Sequence, residues 1–336
     1  MTEQTILRAH VAHFNSPILR KSLSQLASSF GGFFTTCTTM HVAVDLSYWV
    51  ALALAPLAAG FLVRIFIIQH DCGHLSFFRS RRANDICGWA CSLLTLTPYQ
   101  SWRRQHAGHH RIWNDLDHRQ TGSDIYSSCL TVTEYWTLSV WARRWYRLTR
   151  HPLVANILLP PLIFTLLYRL PFDMPKSWRQ ERRGVHLTTL AVAAGLGGLG
   201  RLLGYDRLIA IQLPVLVLAA IVGIWLFSVQ HRNERMRWAR HEAWDPTSAA
   251  LQSSTYLCLP AVLQWFTGNI GFHHVHHLNP RVPNYRLQEC HEQIAALCDT
   301  PILSFWTALR AVQFVLWDED RGRMVTFRES APRRTP

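Results

Sequence analysis

The chain has 336 residues, 49% of them apolar and only 16% charged, with 34 Lys and Arg against 21 Asp and Glu for a formal net charge of +13. Such a composition excludes a disordered segment, which needs low hydrophobicity and high charge, and a coiled coil, which needs many charged helix formers. It also argues against an ordinary soluble enzyme, because the apolar residues gather in runs, and it leaves nucleic acid or an anionic membrane face as partners for the basic charge.

Residues 1–30 are polar with no continuous apolar core, so no cleavable signal peptide is expected. A weak apolar arm is predicted over about 28–46, including Thr35 to Val44, with Asp45 near the turn. The next span is predicted over about 47–68, since Leu46 to Val63 carries no charge. At 1.5 Å per residue, a run of that length crosses roughly 30 Å of hydrocarbon. Ile86 to Pro98 is too short to span and reads as an interfacial helix. His151 to Tyr168 is uncharged but carries Pro152, Pro160 and Pro161. Two further spans are predicted over about 187–203 and 208–230, the first of them rich in Gly. The tail after Arg321 reads as a loose end.

Basic residues fix the orientation. Arg79, Arg81, Arg82, Arg103, Arg104 and Arg111 follow the second span, and Arg169, Lys176, Arg179, Arg182 and Arg183 precede the third. Arg232, Arg235, Arg237 and Arg240 follow the fourth, whereas Gly204 to Arg207 is short and nearly neutral. The positive-inside rule puts the basic stretches in the cytoplasm. The expected architecture is therefore all-α and integral to the membrane: one domain over 1–336 with four transmembrane helices. Regions 69–186 and 231–320 then form a cytoplasmic helical cap, and 151–168 stays on that side or re-enters. Basic residues that alternate with spans do not make a nucleic-acid face. Tyr and Trp near the apolar ends, such as Tyr48, Trp49 and Trp225, suit the headgroup level. The eight Cys form no CxxC pair and suggest neither a zinc site nor a disulfide framework.

Half of the 18 His fall in three short clusters: His70 and His74; His106, His109 and His110; His273, His274, His276 and His277. Offsets of three and four put imidazoles on one face of a helix, one turn apart, where two can share a metal. So many at these spacings suit two metals close together. Each cluster lies just past an apolar or interfacial segment on the face assigned to the cytoplasm, and His231 ends the last span on that face. His274 breaks the register and reads as a bystander behind the ligands. His10, His13, His41, His118, His151, His186, His241 and His291 read as ordinary interfacial or core histidines. A metal or proton transporter would instead place ionisable groups within the spans, which here carry almost none.

With HxxxH, HxxHH and a final HxxHH in order, the chain resembles the integral-membrane fatty acid desaturases from about Phe61 to Tyr285. His70-Asp-Cys-Gly-His74 followed by Phe77-Phe78, and Asn269-Ile-Gly-Phe-His-His-Val-His-His277 followed by Arg281-Val-Pro-Asn-Tyr-Arg286, look like the Δ12/ω-6 type, bacterial members included. The resemblance implies a non-haem di-iron centre that uses O2 to remove two hydrogens from adjacent methylenes of an acyl chain. It carries over His70, His74, His106, His109, His110, His273, His276 and His277 as iron ligands, with His231 similar in placement to an additional one. Asn269 is a candidate to orient a water or a ligand. Asp71, Asp115, Asp117, Glu234, Glu242 and Asp245 are candidates to hold the outer imidazole nitrogens, and Trp102, Trp113 and Trp265 to line an acyl tunnel.

The implied substrate is a fatty acyl lipid, acyl-CoA or acyl carrier protein. The implied setting is a bacterial inner membrane. No GxGxxG after a strand and no His-Pro-Gly-Gly haem segment appears, so electrons are expected from an external donor such as ferredoxin, docked on the Arg-rich face; the same face suits anionic lipid. Hydroxylation, acetylenic bond formation and oxidative decarboxylation use the same centre and stay open as alternatives.

Overall fold

The computed structural model describes residues 2–119 and 126–331. The chain opens with α1 (Glu3–Ala12), capped by the Thr2 side chain, and continues with α2 (Leu19–Ala43), α3 (Tyr48–Ala53) and α4 (Ala55–Gly73). Leu54 joins α3 to α4, so that Tyr48–Gly73 forms one helix long and apolar enough to cross a membrane. Helix α5 (Arg81–Thr95) starts where Ser80 Oγ accepts from Ala83 N and stops where Leu96 turns left-handed at φ 56°. Pro98 then begins α6 (Tyr99–Ile112).

Helix α7 (Val132–Thr137) carries a reciprocal cap between Thr131 and Glu134. After α8 (Val140–Thr149) the chain bends by 53° into the segment Val154–Arg169, which includes α9 (Leu159–Thr165). A long hairpin follows: α10 (Arg179–Leu203) and α11 (Tyr205–Val229) meet at Gly204, whose φ of 87° a side chain would strain. The remaining helices are short: α12 (Pro246–Gln252), α13 (Ala261–Phe266), α14 (His273–Leu278), α15 (Leu287–Gln293) and α16 (Phe305–Ala311).

The apolar core sits between α2, α4, α5 and α11, where Phe33, Met40, Ala55, Ala58, Leu62, Ile65, Ile68 and Ile211 are buried. Small residues set the approach of α2 to α4: a Cβ on Gly32 would lie 2.2 Å from the Phe61 ring. In turn α4 buries His70 and Asp71 with its apolar residues, which carries the first histidine pair into the interior.

The structure bears on three sequence expectations, and it corrects the first. The fold is mostly rather than wholly helical. Strands β1 (Leu130–Thr131), β2 (Tyr256–Cys258), β3 (Ile302–Ser304), β4 (Leu316–Asp318) and β5 (Arg323–Val325) make two small sheets, ordered β1-β4-β5 and β2-β3. They are only two or three residues long, too short for an alternation to register in the sequence. Parallel pairing of Leu130 with Leu316, and of Tyr256 with Ile302, ties the C-terminal part to the segments at 130 and 256.

Next, the arm over 28–46 is not among the helices apolar enough to cross a membrane. Helix α2 has the length, but its buried stripe runs through Ser22, Gln25, Ser29, Thr36 and Cys37. Three helices pass by length and composition, Tyr48–Gly73, Arg179–Leu203 and Tyr205–Val229, and the bent pair from Val140 to Arg169 would make a fourth. Lastly, the helices of the two later spans begin earlier than 187 and 208, at Arg179 and Tyr205, because hydrogen bonding continues into polar ends that hydropathy leaves out.

Candidate metal centre

Four elements carry the nine histidines named above to one place. His70 lies in the last turn of α4 and His74 just after it; α6 carries His106, His109 and His110; α14 carries His273, His276 and His277; His231 follows α11. Ring nitrogens of His70, His74, His106, His110 and His276 all lie within 4.8 Å of one another, and so do those of His109, His231 and His277. His273 joins the second group, with Nε2 3.0 Å from His231 Nε2. The groups abut: the His110 and His277 rings stack with centroids 4.3 Å apart.

Within the first group the Nε2 atoms of His70 and His106 are 3.0 Å apart, those of His106 and His110 3.1 Å, and those of His110 and His276 3.0 Å. Across the second, His109 Nε2 and His231 Nε2 are 3.1 Å apart. A neutral imidazole has one N–H and one lone pair, so a chain of Nε2 atoms facing each other cannot be satisfied by proton sharing alone. Burial, and then the neighbouring imidazoles, push His74, His106, His110, His231, His273, His276 and His277 well below the ordinary histidine range. The rings are therefore neutral, with lone pairs converging on two adjacent points, which is what a metal ion requires. His74 Nε2 and His277 Nε2 add to this, being buried without a hydrogen-bond partner. Each such orphan costs about 1–3 kcal/mol unless a further group satisfies it. An all-nitrogen donor set of this kind suits iron, zinc, copper or nickel.

Around the rings, aromatic side chains exclude water. Trp102 stacks on His106 at 4.6 Å and 17°, and Trp113 lies 4.0 Å from the His231 ring. Trp265 stands elsewhere, with the Arg64 guanidinium 3.9 Å over its ring. Of the six carboxylates, Asp71 is the one that reaches a box histidine among the described residues, with Oδ1 3.4 Å from His70 Nδ1.

The other carboxylates have different partners. Asp115 accepts from His118 and His241, Asp117 from Arg240, Glu234 from Arg323, and Asp245 caps α12; Glu242 is exposed. Ser127 Oγ lies 3.1 Å from His109 Nδ1, a role with no sequence signal of its own.

Asn284 is the residue that sequence reasoning passes over. Its backbone N–H and its Nδ2 donate to Asp71 Oδ2 at 2.7 and 2.8 Å, while its Oδ1 accepts from Gln25 Nε2 at 3.0 Å. Asn269, left-handed at φ 57°, donates Nδ2 to the Asn284 carbonyl at 3.3 Å, so it braces this loop. The only signal was that Asn284 sits in the segment Arg281–Arg286, already matched to the resemblance but given no role there. His274 is turned away from the two groups, with Nε2 3.0 Å from His291 Nδ1.

A fatty acid desaturase family model matches residues 47–308, a stretch that includes every histidine of both groups. The chain is 42% identical to a fatty acid desaturase of Bacillus subtilis, over 98% of this chain and 94% of that one. It is 28% identical to a chloroplastic omega-3 fatty acid desaturase of Glycine max, over 68% of this chain and 50% of the relative, so it spans half the length of that plant protein. It is 24% identical to an sn-1 oleoyl-lipid 12-desaturase of a Picosynechococcus species, over 76% and 74%. The chain belongs to the fatty acid desaturase family and is an oxidoreductase.

Proposed function

We propose that this chain introduces a cis double bond of the Δ12/ω-6 type into the acyl chain of a membrane lipid, using O2 and a His-held pair of irons. The observation that carries the reading is the convergence of nine histidines from four elements into two abutting groups. The donor set and the orphaned His74 Nε2 and His277 Nε2 fit a metal pair. His70, His74, His106, His110 and His276 would hold one iron, and His109, His231, His273 and His277 the other. Bound there, the pair would supply the oxidising power to break unactivated C–H bonds.

The remaining chemistry belongs to the chain's own residues. Asp71, fixed by Asn284, accepts the outer N–H of His70 and so keeps that ring's Nε2 free to face the cluster. The Trp102 and Trp113 rings cover two of the histidines and would keep bulk water from the reacting carbon. An apolar chain reaching the cluster is ordered by packing alone, so its position selects which carbons react.

The whole chain acts as one domain in a bacterial inner membrane, with the histidines on the cytoplasmic side where the Arg clusters lie, and an acidic carrier such as ferredoxin delivers electrons to that face. The test is mass spectrometry of lipids after expression in a host lacking polyunsaturated acids. A new diene with its second bond at the Δ12 position is expected. A hydroxy acid, an alkyne or a terminal alkene would replace this reading with another outcome of the same centre.

A further inference from the structure

A second group of potential metal ligands lies outside the histidine cluster, where the segment leaving α6 meets the segment leaving His231. Asn114 turns the chain at φ 55°, after which Asp115 pairs in parallel with Ala239; Leu116 N donates to Ala239 O at 2.9 Å and Ala239 N to Asn114 O at 3.2 Å. This pairing buries Asp115 to 2% exposure and brings His118 and His241 to the same carboxylate.

The two oxygens of that carboxylate are used differently. Oδ1 accepts backbone N–H groups from Asp117 at 3.0 Å and His118 at 3.3 Å, which fixes the plane of the group. Oδ2 faces His118 Nδ1 and His241 Nδ1, both at 2.8 Å. The imidazole rings stand edge to face, with centroids 4.3 Å apart and planes at 72°. Burial raises the pKa of Asp115, but the hydrogen bonds from His241, His118 and the backbone outweigh it and hold the group below the ordinary carboxylate range. The neighbouring charges are engaged with one another: Arg240 bonds Asp117 at 2.8 Å and Glu319 at 2.9 Å.

We propose that Asp115, His118 and His241 form a third metal site, for a divalent transition cation of the zinc type, that staples the box-2 segment to the segment following His231. Two imidazole nitrogens and one carboxylate oxygen form the ligand set of an open zinc site, with water completing the shell. Tetrahedral coordination at about 2.0–2.1 Å needs the donor atoms about 3.3 Å apart. The rings therefore swing out by about half an ångström, and their side chains, 53% and 58% exposed, are free to do so. Each imidazole presents its Nδ1 lone pair to the ion, and a proton held there moves to the other ring nitrogen or to solvent. The carboxylate does not move, because its backbone donors hold the other oxygen.

The occupant stiffens a joint that also positions His109, His110 and His231, the residues on either side of it. The probe is Zn2+ added to iron-loaded protein in detergent, with zinc and iron both counted after equilibrium dialysis. One zinc beyond the iron is expected in the wild type. His118→Ala and His241→Ala should each weaken it about tenfold or more, and Asp115→Asn, which keeps the shape of the clamp, should weaken it too.

Iron content, which reads the main centre independently, is expected to stay unchanged in His118→Ala, whose side chain is at the surface. Wild-type protein that takes up no extra zinc would overturn the proposal. So would zinc that only replaces iron, or binding that is equal in wild type and all three variants.

Discussion

The histidine cluster and the α10–α11 hairpin lie in one chain and are specified in different ways. In the hairpin, only 17% and 28% of the apolar windows are buried, and Leu190, Leu199, Leu202 and Ile209 face outward. What matters there is that residues be apolar and uncharged, so many sequences serve equally. In the cluster, His70, His106, His231, His273 and His276 are all buried, and Asp71 Oδ2 beside them is held by two donors from Asn284. There the identity of each atom counts, because a mispaired buried polar group costs far more than a mispacked surface leucine.

Substitutions can break or sharpen that contrast. The largest effect is expected for His109→Ala or His277→Ala, which should abolish activity and strip metal without preventing membrane insertion, as read by metal analysis on membrane-extracted protein. Normal metal content in both would erase the distinction. Gly271→Ala comes next: its Cβ would lie 2.5 Å from the Leu257 carbonyl oxygen, in a backbone that also donates Leu257 N to Gly271 O at 2.8 Å. Overpacking against backbone should lower stability by about 1–3 kcal/mol, seen as an earlier thermal transition.

Asn284→Ala removes one of the two donors to Asp71 Oδ2 and should weaken metal binding about 10–100-fold while the protein still folds. Asn284→Asp, which puts a second carboxylate against Asp71, should be worse than Ala; the reverse order would show that the loop acts by packing. In the hairpin, Leu190→Ile should change stability by no more than about 0.5 kcal/mol. Leu190→Arg should cost about 2.5–3.5 kcal/mol of insertion, read by the glycosylation-site topology of fusions. Equal behaviour of the two would mean that this face is not in lipid.

The same contrast explains what could be read in advance. The three boxes were legible because each is local: offsets of three and four need only a helix. The hairpin was legible from apolar runs and Arg clusters for the same reason. What sequence alone did not give arises from contacts between distant positions. Asp71 meets Asn284 across 213 positions, and Asp115 meets His241 across 126. His118 and His241, each read alone, had no spacing to mark them as neighbours. Helix α2 is of mixed character, since its buried side carries Ser22, Gln25, Ser29 and Thr36 as well as Phe33 and Met40. The bent segment from Val140 to Arg169 is Pro-rich only in its second half, from His151; its first half exposes Trp141 and Trp145 beside Arg143 and Arg144.

The most direct test of the central claim is the iron content of purified, reconstituted protein, measured with the spectroscopic signature of coupling between the ions. About two irons per chain are expected, coupled to each other and lost together in His110→Ala, whose ring belongs to the first group and stacks on His277 of the second. A single iron, or two uncoupled irons that are lost separately, would contradict the account.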